Sequence, residues 1–241
     1  MNEILCKQLA LDYCCSVSDI LDDDNHFNIH KPLEGRRRFR EPRECFLKIA
    51  VVNGKILFTG EKAIIDWCRD EFWDTGGAWF FDAATLSKLN DKIHESGHSM
   101  KQVHPFFISE TKSLKKADGC DIRWYERDDI EVFRGDKRFP EALSFCDSAP
   151  DVIAVSASEG GRIIGMAGAS ADSDTMWQIG INVEPGARRR GLATVLVSLL
   201  KDEILDRGIL PYYGTAMSHI GSLRVAVGSG FIPAWAELET K

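Results

Sequence analysis

The residues with the clearest chemical potential lie in segment 181–204, INVEPGARRRGLATVLVSLLKDEI. An apolar, strand-like stretch delivers the chain to a turn carrying Arg188, Arg189, Arg190 and Gly191. An amphipathic helix then starts at once, with Leu192, Val195, Leu199 and Leu200 along one face. A helix N-terminus exposes N–H groups that lack intrahelical partners, and it carries partial positive charge. A phosphate placed there meets backbone donors, and neighbouring guanidinium groups add charged contacts. Gly191 permits close approach of the backbone, and Ala193 keeps the helix opening uncluttered. The segment is neither of the common phosphate-loop patterns, lacking the lysine of one and the glycine spacing of the other. Two readings stand at this point: an anion site, or a basic surface turn.

His94-Glu95-Ser96-Gly97-His98 has the H-E-x-x-H pattern, in which two histidines of one helix face hold zinc and the glutamate polarises water. That geometry needs helix through the second histidine. Ser96-Gly97 instead reads as a helix end, and His104 supplies no familiar third ligand, so no metal is expected. The seven cysteines form no C-x-x-C pair; their odd number and scatter read as reduced thiols in a cytoplasmic protein.

A second block, SHIGSLRVAVGSGFIP at 218–233, combines with the first. Residues 183–193, VEPGARRRGLA, resemble the cofactor-binding signature of the Gcn5-related N-acetyltransferase (GNAT) family, with Arg188, Gly191 and Ala193 at its defining positions. The second block resembles the family stretch in which a polar residue opens a helix and Gly-Phe closes it. Ser218 stands at the opening place, Ser222 at the small-residue place, and Gly230-Phe231 at the close. The resemblance covers about residues 121–241.

The family resemblance implies acetyl-CoA as cosubstrate, no metal, and direct transfer to a small amine or peptide acceptor. Two strands would splay to open a cleft. Backbone groups of Ile181, Asn182 and Val183 would bind the pantetheine arm, and the turn from Arg188 through Arg189, Arg190, Gly191 and Leu192 to Ala193 would hold the pyrophosphate, with Ser218 and Ser222 beside it. One departure stands out: many members carry a tyrosine proton donor five residues before the closing Phe, where this chain has Ala226. That leaves a non-catalytic acyl-CoA-binding or regulatory protein as the alternative. Ser222 offers a hydroxyl one helical turn earlier, and Tyr212 and Tyr213 belong to the preceding strand. Glu184, Asp174, Asp172 and Glu159 are the carboxylates near the key strand, none of them singled out as a base.

The elements that must position these residues follow from periodicity. In the second half, strands are expected at 121–125, 129–133, 152–156, 162–169, 176–183, 212–215 and 231–239, with helices at 137–146, 191–205 and 221–228. In the first half, helix is expected over 4–12, followed by a short helix capped by Ser16. A polar stretch, 25–44, contains the run RRRFREPRE and reads as a loop or edge strand. A hairpin turning at Asn53-Gly54, helices at 62–73 and 82–95, and a strand at 104–108 complete it. The aromatic group Trp67, Phe72, Trp73, Trp79, Phe80 and Phe81 reads as core, with a lid over the acceptor pocket or a dimer surface as the alternatives. Segment 112–118 is the expected linker between an α+β domain over 1–115 and the transferase-like domain over 119–241. The predicted class is α/β (α+β): a mixed, mostly antiparallel sheet flanked by helices, with an additional N-terminal α+β domain.

Composition sets the outer bounds. The 241 residues are 44% apolar and 28% charged, an ordinary globular balance. The formal charge of -7 argues against a nucleic-acid-coating role, which needs a positive field. No run of 18 apolar residues occurs, so no membrane-spanning helix is expected. Neither nucleic acid nor membrane is an expected partner; a homodimer is left open.

Overall fold

Asn53 and Gly54 both adopt positive φ, 49° and 84°, the pairing that a two-residue hairpin requires. They join β2 (Leu47–Val52) to β3 (Lys55–Gly60) in an antiparallel ladder. The computed structural model describes residues 1–37, 45–115 and 119–241, so the arginine-rich stretch at 38–44 and the last part of the expected linker, 116–118, lie outside the described residues. The chain forms two compact units: Met1–Phe106 with Ala234–Lys241, and Phe107–Pro233. The division falls upstream of segment 112–118, and the final strand's residues from Ala234 onward belong with the first unit.

In the first unit, α1 (Glu3–Asp12) and α2 (Val17–Leu21) precede β1 (His26–Ile29). A capping box between Ser16 and Asp19 starts α2. After the hairpin come α3 (Lys62–Phe72), α4 (Ala83–Glu95) and β4 (Met100–Ile108). The last strand, β10 (Ile232–Thr240), pairs antiparallel with β2, giving the order β1-β3-β2-β10-β4. Ile64, Ile65, Cys68 and Phe72 of α3, with Leu89 and Ile93 of α4, pack on Leu47, Ile49, Ile56 and Phe58 of the hairpin. Phe72 and Phe80 join this core, but Trp73 and Trp79 are 66% and 82% exposed, contrary to the expectation that the whole aromatic group is core. Trp73 caps the end of α3 and Trp79 lies in a short 3-10 turn, so neither faces the sheet.

The second unit has β5 (Asp121–Glu126), α5 (Arg127–Ile130), β6 (Asp151–Glu159), β7 (Arg162–Ala171), β8 (Met176–Val183), α6 (Leu192–Asp206), β9 (Leu210–Gly214) and α7 (Ile220–Gly228). The order is β9-β8-β7-β6-β5, with only β8–β9 parallel among the described pairs of this unit. Leu196, Val197, Leu200 and Ile204 of α6 cover one face through Ala167, Ala169, Ile179 and Phe231. The other face carries Met166 and Ala154 against Ile130, Phe133, Phe139, Ala142 and Leu143.

Two expected elements differ. Residues 129–133 are helical rather than extended, because two apolar positions three apart, Ile130 and Phe133, reach the same core. The helix expected over 137–146 is an irregular run of turns. Pro140 lacks an N–H, and side chains take the amides a helix would use. Asp136 accepts from Arg138 N, Asn182 from Glu141 N and Ala142 N, and Asp151 from Ser144 N and Phe145 N.

A buried ion cluster ties β10 into the first unit. Glu237 accepts from Arg37 (2.9 Å), the Tyr13 hydroxyl (2.9 Å) and Trp235 Nε1 (3.2 Å), and its other oxygen lies 3.0 Å from Lys48 Nζ. Arg37 also pairs with Asp12 and lies 4.8 Å from the centre of the Trp235 ring. Burial pushes the Glu237 carboxyl up, but Lys48 and Arg37 outweigh it and hold the group well below the usual carboxylate range. The stability this confers is therefore fully present above the ordinary glutamate value of about 4.3 and is lost as pH falls below it. Replacing Lys48 by Met should lower the unfolding free energy of this unit by about 3–5 kcal/mol in urea, because it strands a buried carboxylate. Wild-type stability in that variant would contradict the role given to the cluster.

Candidate functional site

Strand β8 pairs with β9 only through Met176–Leu210, Trp177–Pro211 and Gln178–Tyr212, while its pairing with β7 continues to Val183–Gly165. Past Gln178, therefore, one edge of β8 is open. Antiparallel alternation fixes which groups face that edge. Glu184 N–H donates to Ile164 O at 2.9 Å, so the backbone groups of Asn182 and Gly180 also face β7, and those of Ile181 and Val183 face the opening. The side chains of Ile181 and Val183 pack toward the α6 face.

The chain leaves β8 through a 3-10 turn at Pro185–Ala187 and enters α6 with Arg189 at φ 63° and Gly191 at φ 79°. A Cβ on Gly191 would meet nothing within 4 Å, so its left-handed conformation, rather than crowding, favours glycine there. No side chain caps α6, and the N–H groups of Leu192, Ala193 and Thr194 have no acceptor among the described residues. These donors lie beside the open edge of β8 and are of the kind that an anion would satisfy.

The arginines of the turn differ from one another. Arg188 Nε donates to Val183 O at 3.0 Å, folding back on the strand end. Arg190 pairs with Glu159, whose carboxyl is held low by that hydrogen bond while the Arg190 guanidinium is raised. Arg189 is exposed and has no partner among the described residues. Ser222 lies on α7 with its Oγ 2.8 Å from the Tyr213 hydroxyl. Burial pushes the Tyr213 phenol up; the Ser222 hydrogen bond lowers it, and the charge of Glu141 raises it further. Ser218 sits exposed in the turn before α7. Ala226 is fully buried in the core.

Of the four carboxylates near β8, Glu159 pairs with Arg190, and Glu184 with Arg162 (2.6 Å) and Arg138 (3.4 Å). Asp172 accepts from Ser170 Oγ at 2.8 Å and from the Tyr212 hydroxyl, and Asp174 is exposed in the β7–β8 hairpin. The sequence reading overlooked Glu141 and the side chain of Asn182. Asn182 Oδ1 accepts from Glu141 N at 2.8 Å and Ala142 N at 2.9 Å, pinning this segment over β8. Pro140 was the signal that the expected helix there would break.

The H-E-x-x-H pattern does not form a zinc site. Helix α4 ends at Glu95, Gly97 takes φ 77°, and the His98 ring stacks on Phe46 at 3.9 Å. Asp19, Asp22 and His26 cluster closely, but Lys55 Nζ lies 2.9 Å from the Asp22 carboxylate and supplies the positive charge there. Among the described residues, no helix is long and apolar enough to cross a membrane.

Strand β8 thus runs past its open edge and through a basic turn into an uncapped helix. Residues 120–231 match the model of the acetyltransferase (GNAT) family, and this part of the chain is a domain of that family. No curated protein matches the chain. Among solved structures, it resembles an acetyltransferase of the GNAT family from Novosphingobium aromaticivorans, at 18% identity over 60% of this chain and 66% of that one, with a TM-score of 0.45. A GCN5-related N-acetyltransferase-like protein from Streptococcus suis matches at 16% identity over 66% and 69%, with a TM-score of 0.46. An aminoglycoside N-acetyltransferase in complex with CoA matches at 22% identity over 50% and 93%, with a TM-score of 0.37. The matched part spans about two thirds of the length of the first two structures.

Replacing Asn182 by Ala should remove both acceptor contacts at once, costing about 1–3 kcal/mol. Hydrogen exchange at the Glu141 and Ala142 amides should then accelerate, while the amides of β6 keep their protection. Unchanged exchange at those two amides would show that Asn182 does not hold the segment.

Proposed function

We propose that the protein is an N-acyltransferase that moves an acetyl group from acetyl-CoA directly to a primary amine, using the Phe107–Pro233 unit. The observation that carries this reading is the row of unpartnered backbone groups made by Ile181, the Val183 N–H and the N–H groups that open α6, within a domain of the GNAT family. The row suits a ligand with an amide-bearing arm and a pyrophosphate. The N–H and C=O groups of Ile181 and the N–H of Val183 would pair with the arm as an added strand does. The N–H groups of Leu192, Ala193 and Thr194 would hold the pyrophosphate, with Arg189 adding charge.

Acetyl-CoA supplies the activated acyl group. The chain's part is to fix the thioester beside the middle of β8 and to present an amine to it. Ala226 offers no proton donor, and the hydroxyl pair Tyr213–Ser222 is proposed in its place. Arg190 adds little free charge while Glu159 holds it. Arg188, Ile181, Val183, Gly191, Leu192, Ala193 and Ser222 are retained in the proposed cofactor site. Asn182 serves it by its side chain, and Ser218 lies at its rim. The cysteines of the described chain are all free thiols, which supports a reducing, cytoplasmic setting. A small amine is the proposed acceptor.

Calorimetric titration with acetyl-CoA tests the reading. The wild type should bind at micromolar concentrations. Gly191→Asp places a carboxylate against the pyrophosphate donors in a left-handed position, and should weaken binding by at least about tenfold, about 1.4 kcal/mol. A folded wild type that does not bind acetyl-CoA would overturn the cofactor assignment. Binding without thiol release against any of a set of amines would instead favour a non-catalytic acyl-CoA-binding protein.

A further inference from the structure

Resting on the acyltransferase reading, we infer that Glu141 is the acceptor-side carboxylate, holding the incoming ammonium where β8 and β9 part and taking its proton before attack. The position of Glu141 is set by backbone geometry. Its main chain lies flat on β8 because Gly180 has no side chain: a Cβ there would stand 1.7 Å from Glu141 O. Gly168, the neighbour of Gly180 across the ladder, leaves the same room for Ala142, whose carbonyl oxygen would be 2.1 Å from a Cβ. Asn182 Oδ1 then accepts from the amides of these same two residues, Glu141 N at 2.8 Å and Ala142 N at 2.9 Å. Two glycines and an asparagine thus fix one exposed residue, Glu141, next to the middle of the strand whose far edge is open.

The carboxylate of Glu141 is also available. Glu141 is exposed, and its carboxylate has no hydrogen-bond or ion-pair partner among the described residues. Arg138, three residues earlier, is engaged by Asp136 at 2.7 Å and Glu184 at 3.4 Å. Glu159, Glu184 and Asp172 are likewise occupied by protein groups. Asp174 is exposed but sits in the β7–β8 hairpin, before the strand begins.

Glu141 and the hydroxyl pair flank the sheet from opposite faces. Tyr213 belongs to the core on the α6 face, whereas Glu141 lies on the other face of the sheet. Its charge nonetheless acts on the Tyr213 phenol, and no strand pairing beyond Gln178–Tyr212 separates the two faces there. A thioester held in the opening would have a carboxylate on one side and hydroxyls on the other, the division that amine attack and thiolate departure require.

The transfer balances as follows. The ammonium gives one proton to the Glu141 carboxylate, and the neutral amine forms a C–N bond with the thioester carbonyl carbon. The C–S bond breaks with its electron pair on sulfur, and the second nitrogen proton ends on the thiolate, by way of the Tyr213–Ser222 hydroxyls. Glu141 then releases its proton to solvent. Amide, CoA thiol and one proton are the products, and the acceptor class is an amine that is cationic at neutral pH.

Two small acceptors separate proton removal from mere access: ethanolamine, protonated at pH 7, and hydroxylamine, largely neutral there. Thiol release from acetyl-CoA should fall about 100-fold with ethanolamine in Glu141→Gln, and by less than about threefold with hydroxylamine. Glu141→Asp, which keeps the carboxylate, should recover part of the ethanolamine rate, and acetyl-CoA affinity measured by calorimetry should stay unchanged in both variants. Equal losses with the two acceptors, or no loss, would overturn the assignment, as would a wild type that binds acetyl-CoA but acylates neither amine. Failure of the wild type to bind acetyl-CoA would instead remove the acyltransferase reading beneath it.

Discussion

The site depends on where strand β8 stops being paired. A β-strand inside a sheet has its N–H and C=O groups satisfied on both sides, and unsatisfied ones are costly wherever water is excluded. Here β8 keeps its ladder to β7 as far as Val183, while β9 leaves it after Gln178. The alternation of the antiparallel ladder sends the groups of Ile181 and Val183 to the open side. Everything proposed for ligand binding follows from that edge and from the helix that continues it. The half-buried side chains of Ile181, Val183 and Leu192, packed against the α6 core, hold the edge in place.

Electrostatics refine the picture. Three consecutive arginines suggest a strongly positive turn, yet two are already engaged, Arg188 by the Val183 carbonyl and Arg190 by Glu159. The attraction left for an anion resides mainly in aligned N–H groups at the start of α6, with Arg189 beside them. Such donors are directional and pre-organised, so they select a ligand by shape as well as charge. Protein carboxylates that neutralise neighbouring guanidiniums also keep a chain of net charge -7 from presenting an indiscriminate basic patch.

Much of this was legible in the sequence. The strand-turn-helix through 176–206, the hairpin at Asn53-Gly54 and the end of α4 after Glu95 all carried local signals: periodicity, a turn dipeptide, a glycine stop. The elements misread were those decided by tertiary contacts. Segment 137–146 has helical apolar spacing, but Pro140 lacks an N–H and the side chains of neighbouring Asp136 and distant Asp151 and Asn182 take several of its other amides. Reading it as helix hid Glu141, since a glutamate on a helix surface calls for no explanation. Trp73 and Trp79 were misassigned to the core because aromatic density does not reveal which face of a short turn is covered. The role of Asn182 was likewise invisible, because its partners lie 40 and 41 residues away.

The central claim, that the open edge of β8 and the start of α6 together receive acetyl-CoA, is tested most directly by amide hydrogen exchange with and without that ligand. The account predicts new protection at Ile181, Val183, Leu192, Ala193 and Thr194, and none at Asn182, whose N–H already faces β7. Protection that spares the odd-numbered residues of β8, or no change at the start of α6, would contradict it.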